Sequence, residues 1–386
     1  MKPKKICVLF VDAGGGHRAT AIALQKIFEN DKQYEIGIYN LIDECLLPMD
    51  PVYKLFGIKT EEIYNRWIVK SHYALIHQYI GYFLLKLNIF IRRHQQKSRQ
   101  HLLNFWERTQ PDLVISVAPF FNTDFIQSLQ EYNPKIPYLT IMTDMIEAFK
   151  GLWYEPGPQY FCCGCADLYQ KILSQGHAPN KLFLLSGMLL RPAIYFYSHQ
   201  MGNSNELRKK LGLLPNLPTA LISYGGMGSP AMYKIALELL KISSPFQIIF
   251  ICGKNLKIYK KIIKLKTSYA KSVQGFTSNI HEYLMAADFF IGKPGPGSVH
   301  EALTLKKPLL LHYNRMTMIQ EKSNAIWVEK QGYGKAFCKI KKFNEKFIQF
   351  LDSNQLENLK QNVSQYHNEA NIEVMKIINQ IELNSQ

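Results

Sequence analysis

A histidine follows three glycines at Gly14-Gly15-Gly16-His17, directly after an apolar run, and the combination suits proton transfer. A near-neutral imidazole can take a proton from a hydroxyl, and glycines let a reacting group approach it closely. The competing reading is a helix-capping histidine whose ring is already satisfied. A second chemistry-bearing stretch runs from Ile291 to Leu303, where Gly-Lys-Pro-Gly-Pro-Gly interrupts an apolar run before Val299, Ala302 and Leu303 recur at helical spacing. That order aims unpaired N–H groups and the positive end of a helix dipole into the turn, a natural place for a phosphate. Glu301 is expected in the first helical turn, where it can accept hydrogen bonds from sugar hydroxyls. Alternatively, this is an ordinary βα turn whose glycines and prolines serve only backbone geometry.

Three further groups belong to the same inventory. Gly225-Gly226-Met-Gly228-Ser229 repeats the glycine turn and offers N–H groups and a hydroxyl to a phosphate. Gln320, Glu321 and Asn324 stand at a helix start, where they either read sugar hydroxyls or form a polar helix N-terminus. Asp144 ends the run Ile136–Thr143, where an open α/β sheet places ligands, although a turn or cap aspartate reads the same way.

These residues need strands to carry them. Lys5–Val11, Tyr34–Leu41, Pro111–Val117, Ile136–Thr143, Tyr160–Cys163 and Lys181–Ser186 are short apolar runs, as expected for strands covered on both faces of a parallel sheet. Helical patterns separate several of them. The polar residues 198–204 read as a linker, after which Thr219–Ser223, Phe246–Cys252, Ala286–Ile291 and Lys307–His312 restart the rhythm. Phe343–Leu383 is helical in pattern. The glycine turns lack both the G-x-G-x-x-G spacing of dinucleotide folds and the Gly-Lys-Ser/Thr of a Walker loop.

At 386 residues, two domains are the natural expectation, and 47% hydrophobic residues supply large cores. A formal net charge of +16 calls for an anionic partner: nucleic acid, an anionic membrane or a phosphorylated substrate. Seven lysines between Lys254 and Lys271 read mainly as a solvated face, because no nucleic-acid recognition module accompanies them. The seven cysteines are odd in number and lack framework spacing, and no secretory signal opens the chain, so a reducing, cytoplasmic setting is expected. Cys162, Cys163 and Cys165 lack a second ligand pair at finger-like spacing and read as small apolar residues around a strand. Between Asp50 and Gln110, aromatics interleave with basic residues. The apolar spacing of Leu75–Ile91, too short to span a bilayer, fits either an amphipathic helix on an anionic membrane or a helix packed within the domain.

Taken together, Asp12–Thr20, Tyr224–Ser229, Lys293–Ala302 and Gln320–Asn324, with support from Thr140–Asp144 and Ser186–Pro192, resemble the motifs of one family. It comprises the GT-B glycosyltransferases of the monogalactosyldiacylglycerol synthase and processive diacylglycerol glucosyltransferase type, related more distantly to MurG of glycosyltransferase family 28. The resemblance spans roughly residues 5–340. It implies an α/β chain of two Rossmann-like, doubly wound parallel-sheet domains facing across a cleft. Residues 1–197 would form the lipid-acceptor and membrane domain and 198–355 the UDP-sugar domain, with a C-terminal helix in 356–386.

It further implies that Gly225, Gly226, Gly228, Ser229, Gly275, Phe276, Pro296, Gly297, Ser298, Glu301, Gln320, Glu321 and Asn324 hold the nucleotide sugar. His17 would be the base for the acceptor hydroxyl or a group that positions it, with Asp144 assisting. Gly14, Gly15, Gly16 and Arg191 would shape the acceptor loop, and Trp67, Tyr79, Phe83, Leu87, Arg92 and Arg93 would meet the membrane. The family inverts the anomeric carbon without a metal, so no metal and no cofactor beyond the UDP-sugar co-substrate are expected. The expected partners are a UDP-sugar, diacylglycerol or a similar lipid and an anionic membrane surface, without nucleic acid, for a protein peripheral on a membrane face. Two segments depart from the family pattern: Thr317-Met-Ile-Gln-Glu321 replaces Pro-Gly-Gln-Glu, and Gly187-Met-Leu-Leu-Arg-Pro192 lacks the first proline of Gly-x-Pro-x-Arg-Pro. The alternatives are MurG-like transfer to a polyprenyl-linked acceptor and a non-catalytic lipid-binding protein on the same scaffold.

Overall fold

The computed structural model describes residues 2–12, 15–47, 53, 57–59, 62, 96–119, 121–147, 153, 157–199, 204–315 and 317–383. The proposed membrane contacts Trp67, Tyr79, Phe83, Leu87, Arg92 and Arg93, and the loop residue Gly14, lie outside them. The chain divides into two compact units, residues 1–192 with 368–386, and residues 193–367.

The first unit is built on β1 (Lys4–Phe10), α1 (Gly16–Phe28), β2 (Tyr34–Asn40), α2 (Gln96–Thr109), β3 (Leu113–Ser116), α3 (Asn122–Tyr132), β4 (Tyr138–Ile141), β5 (Gln159–Cys163), α4 (Ala166–Ser174) and β6 (Leu182–Leu184). Its strands form a parallel sheet in the order β2-β1-β3-β4-β5-β6. The continuous apolar runs are explained by burial, since every residue of β3 and β4 is buried. Cys162 and Cys163 lie in this interior, where burial raises their thiol pKa values.

The second unit follows α5 (Pro192–Ser198) and α6 (Ser204–Lys210) with β7 (Thr219–Ser223), α7 (Pro230–Leu239), β8 (Gln247–Ile251), α8 (Leu256–Lys264), β9 (Ala270–Gln274), α9 (Ile280–Ala286) and β10 (Phe289–Gly292). It continues through α10 (Pro296–Thr304), β11 (Leu309–His312), α11 (Ile319–Lys330), β12 (Gly334–Phe337), α12 (Phe343–Leu351) and α13 (Ser353–Ser364). Its strand order is β12-β11-β10-β7-β8-β9, again all parallel. The last helix, α14 (Ala370–Leu383), belongs to the first unit. Ala370, Val374, Ile377, Ile378 and Ile381 make an apolar stripe on that unit's core beside Val8, Phe10 and Leu113. Lys4 and Tyr34 fix its end through Glu382 and Asn379.

One buried charge organises the second sheet. Arg208 on α6 donates to Asp288 Oδ1 at 2.7 Å and to the carbonyls of Ala286 and Pro215, while Asp288 Oδ2 accepts from the Thr219 amide. This pins the starts of the adjacent strands β7 and β10. Replacing Arg208 with alanine is expected to destabilise the chain by about 2–3 kcal/mol, because the buried Ala286 carbonyl loses its donor, while Asp288, 31% exposed and still bonded to the Thr219 amide, is partly rehydrated. Urea unfolding of the variant checks this, and an unchanged midpoint would contradict it.

Candidate functional site

Each sheet has one point where the chain changes direction across it. In the first unit β1 sits between β2 and β3, and in the second β7 sits between β8 and β10. The crevice beyond the carboxyl ends of such strands is where open α/β sheets bind ligands. The glycine turns occupy these two places.

At the first, Gly15 holds φ 87°, a left-handed conformation natural to glycine, and α1 begins at Gly16. Among the described residues, a Cβ at either Gly15 or Gly16 would meet no atom within 4 Å. His17 sits in the first turn with Nδ1 at 3.0 Å from the Val117 carbonyl oxygen, at the end of β3, and at 2.7 Å from Thr143 Oγ1, after β4. A carbonyl can only accept, so the proton belongs on Nδ1 and Nε2 carries the lone pair. Burial lowers the imidazole pKa to about 4, against the opposing pull of the Val117 carbonyl and the Asp12 carboxylate. The ring is therefore neutral at physiological pH and able to receive a proton at Nε2.

Asp144 is one residue from this contact, and its Oδ2 accepts from the Trp153 indole at 2.7 Å. The Trp153 ring in turn lies 6.0 Å from that of His17. Asn122, at the start of α3, donates to the Ala118 and Trp153 carbonyls and accepts from Tyr138 Oη, locking the wall around Trp153. Thr143, Val117 and Trp153 are the neighbours of His17 that residue types alone did not single out; they come from three separate loops. Arg191 is partly exposed in the segment Ser186–Pro192. The start of α14 anchors that segment: Glu373 accepts from the Ser186 amide, the Glu369 amide donates to Ser186 Oγ, and Asn368 donates to the Met188 carbonyl.

At the second place, Gly225 and Gly228 hold φ 74° and 63°. A Cβ on Gly228 would stand 2.1 Å from the Cys252 carbonyl oxygen, and one on Gly253 2.4 Å from that of Gly226, so the β7 and β8 turns touch backbone to backbone. Ser229 caps α7, its Oγ accepting from the Ala231 amide, which leaves its hydroxyl hydrogen available to donate. Gly275 and Phe276 follow β9. The Phe276 ring is 59% exposed beside Gly226, with Lys254 Nζ 5.4 Å from its centroid, and it presents an aromatic face that a base can stack on.

The turn after β10 forms as its sequence predicts, with α10 starting at Pro296. Gly297 and Ser298 supply first-turn N–H groups, and Gly297 has open space where a Cβ would be. Glu301 does not lie in the first turn as expected; the helix starts early enough, at Pro296, to put it in the second. Glu321 and Asn324, from the start of α11, reach the same turn. Lys293 Nζ lies 2.5 Å from Glu321 Oε1, and buried Asn324 donates to the Pro294 carbonyl at 3.0 Å. Gln320, one residue before Glu321, is half-buried and its amide nitrogen lies against Met318 Sδ. The second unit thus brings Gly225, Gly226, Gly228, Ser229, Gly275 and Phe276 to the ends of β7 and β9, and Lys293, Pro296, Gly297, Ser298 and Glu321 to the end of β10.

Burial sets the titration of other histidines as well: His300 is lowered to about 3 and His312 to about 4. With His17, these groups bind protons in the unfolded chain at pH values where the folded one excludes them. Their contribution to stability is complete above about pH 6.5 and is lost as pH falls towards 4, with a slope of up to about 1.4 kcal/mol per pH unit for each group. Urea midpoints should therefore fall between pH 7 and pH 5; equal midpoints would contradict the assignment.

Residues 17–186 match the family model described as monogalactosyldiacylglycerol (MGDG) synthase, and residues 231–381 match that of the glycosyltransferase family 28 C-terminal domain. The chain is 28% identical over 379 residues to monogalactosyldiacylglycerol synthase 3, chloroplastic, of Arabidopsis thaliana, covering 92% of this chain and 76% of that protein. It is 26% identical over 376 residues to monogalactosyldiacylglycerol synthase, chloroplastic, of Spinacia oleracea, covering 93% and 69%. Among solved structures, MurG of Acinetobacter baumannii superposes with a TM-score of 0.61 at 13% identity, covering 98% of this chain and 100% of that one, a likeness of fold.

Proposed function

We propose that this chain, a GT-B glycosyltransferase related to the monogalactosyldiacylglycerol synthases, transfers a hexose from a UDP-sugar to the hydroxyl of diacylglycerol with inversion at the anomeric carbon. The second unit takes the donor. Its glycine turn and the Gly297 and Ser298 amides face the diphosphate, Phe276 the base, Glu301 the ribose, and Gln320 and Glu321 the sugar. The first unit takes the lipid acceptor. The acceptor oxygen bonds to C1 of the sugar as the bond from C1 to the diphosphate oxygen breaks, UDP leaves with the electron pair, and the hydroxyl proton passes to His17 Nε2. Helix N-terminal amides and Lys293 offset the charge growing on UDP, so the reading needs no metal.

The observation that carries this reading is the His17 ring, held by the Val117 carbonyl with Nε2 as the proton acceptor at the strand switch point. The reading also places the protein at a membrane surface, where its acceptor resides; among the described residues no helix is long and apolar enough to cross a membrane. Incubation with several radiolabelled UDP-sugars and either diacylglycerol or a polyprenyl-phosphate-linked acceptor, followed by lipid separation, tests it. Label in the diacylglycerol product supports the proposal. Label only in the polyprenyl product, or none despite UDP binding, overturns it in favour of MurG-like transfer or of a non-catalytic scaffold.

A further inference from the structure

The run of lysines after Lys254, which the sequence presents as a solvated face, has a more particular arrangement in the structure. In α8, Ile258 and Ile262 turn inward, leaving Lys257, Lys260, Lys261 and Lys264 outward. Leu256 and Ile263 share that outward face and are 66% and 49% exposed. Helical geometry puts Leu256, Lys260 and Ile263 on one stripe, with Lys257 and Lys264 beside it. The packed neighbour α7 extends the surface: Tyr233 lies under Lys261, 5.2 Å from ring centroid to Nζ, and Leu237 follows one turn on and is exposed. Lys257, Lys260, Lys261, Lys264 and Lys266 border one shallow depression with Tyr233. Among the described residues no carboxylate pairs with any of these five lysines.

Two features select the partner. Five uncompensated cations ask for a dense array of negative charge. Exposed aliphatic side chains between them gain nothing from a phosphodiester backbone, but they are buried when a helix lies in a lipid headgroup layer with its lysine stems extended along it. Base stacking, which a single strand would need, finds no exposed aromatic on this face: Tyr259 is partly buried against the core, and Lys261 covers Tyr233. We infer that the outward face of α8 is a docking surface for an anionic phospholipid bilayer, with Leu256 and Ile263 entering the interface and the lysines meeting lipid phosphates. This inference stands whatever sugar or acceptor the enzyme uses.

A probe at one position separates this contact from binding elsewhere on the chain. Cys338 is the only exposed cysteine of the seven, so Leu256→Cys in a Cys338→Ser background of the full chain accepts a single NBD fluorophore. Vesicles of phosphatidylcholine with about one-third phosphatidylglycerol should blue-shift and brighten it, pure phosphatidylcholine should not, and high salt should reverse the change. With Lys257, Lys260 and Lys264 all changed to Gln, binding of the labelled face should weaken roughly fivefold for each charge removed. Matching thermal melts establish that the variants fold. The inference is overturned if the chain co-sediments with anionic vesicles while the probe stays unshifted, or if the triple variant binds them as tightly as the parent. It is equally overturned if the triple substitution weakens only oligonucleotide binding, which would assign the face to nucleic acid.

Discussion

Replacing His17 with alanine is expected to lower lipid glycosylation by about 10²- to 10⁴-fold, the usual contribution of a positioned general base, while UDP affinity stays unchanged. The second half follows because His17 belongs to the first unit, whereas the glycine turns assigned to UDP belong to the second. Thr143→Val tests the ring's anchoring. It removes one Nδ1 contact and keeps the Val117 carbonyl, so the tautomer survives and the loss should be much smaller than for alanine at 17. Burial keeps the imidazole neutral down to about pH 4, so the acid limb of activity attributable to this group should lie near 4 rather than 6.5. Steady-state rates across pH, with isothermal titration of UDP, provide both readouts. Full turnover in His17→Ala would remove the histidine from the chemistry.

A second large effect is expected at Gly228. Alanine there must adopt φ 63° and place Cβ 2.1 Å from the Cys252 carbonyl oxygen, a backbone atom that cannot swing aside. The left-handed conformation alone costs roughly 1–2 kcal/mol. Relieving the clash must separate the β7 and β8 turns, so both stability and UDP affinity should fall, affinity by more than about tenfold if one good charge-assisted hydrogen bond is lost. Gly297 gives the contrast. Its Cβ would meet no atom of the described residues within 4 Å, so valine at 297 should leave the melting transition near that of the parent and still impair UDP binding by filling the ligand's space. If UDP binds Gly297→Val normally, the turn after β10 does not hold the diphosphate.

The strands were legible because burial on both faces leaves a continuous apolar run, as in Leu113–Ser116 and Thr219–Ser223. Gly334–Phe337 was not read as a strand, because this edge strand alternates buried Gly334 with exposed Lys335 and carries only one large buried side chain, Phe337. The start of α10 was legible from its glycine-proline turn, but the helical phase of Glu301 was not, since Pro296 at the first helical position moved the helix origin towards the strand. Asp144 was read from its place after a strand. Only the structure shows that its Oδ2 accepts from the Trp153 indole.

The sequence by itself determined that the chain alternates strands and helices in two halves, that a glycine turn follows the first strand of each half, and that His17 stands at a helix entrance. Periodicity and glycine content are local properties, and they survive being read one residue at a time. Tertiary structure alone decided which strands neighbour β1 and β7, and hence that the glycine turns lie at switch points. It decided that the Val117 carbonyl fixes the tautomer of His17, and that Lys293 pairs with Glu321. These contacts join residues 100 and 28 positions apart in the chain, and only strand order and helix packing bring them within hydrogen-bond reach.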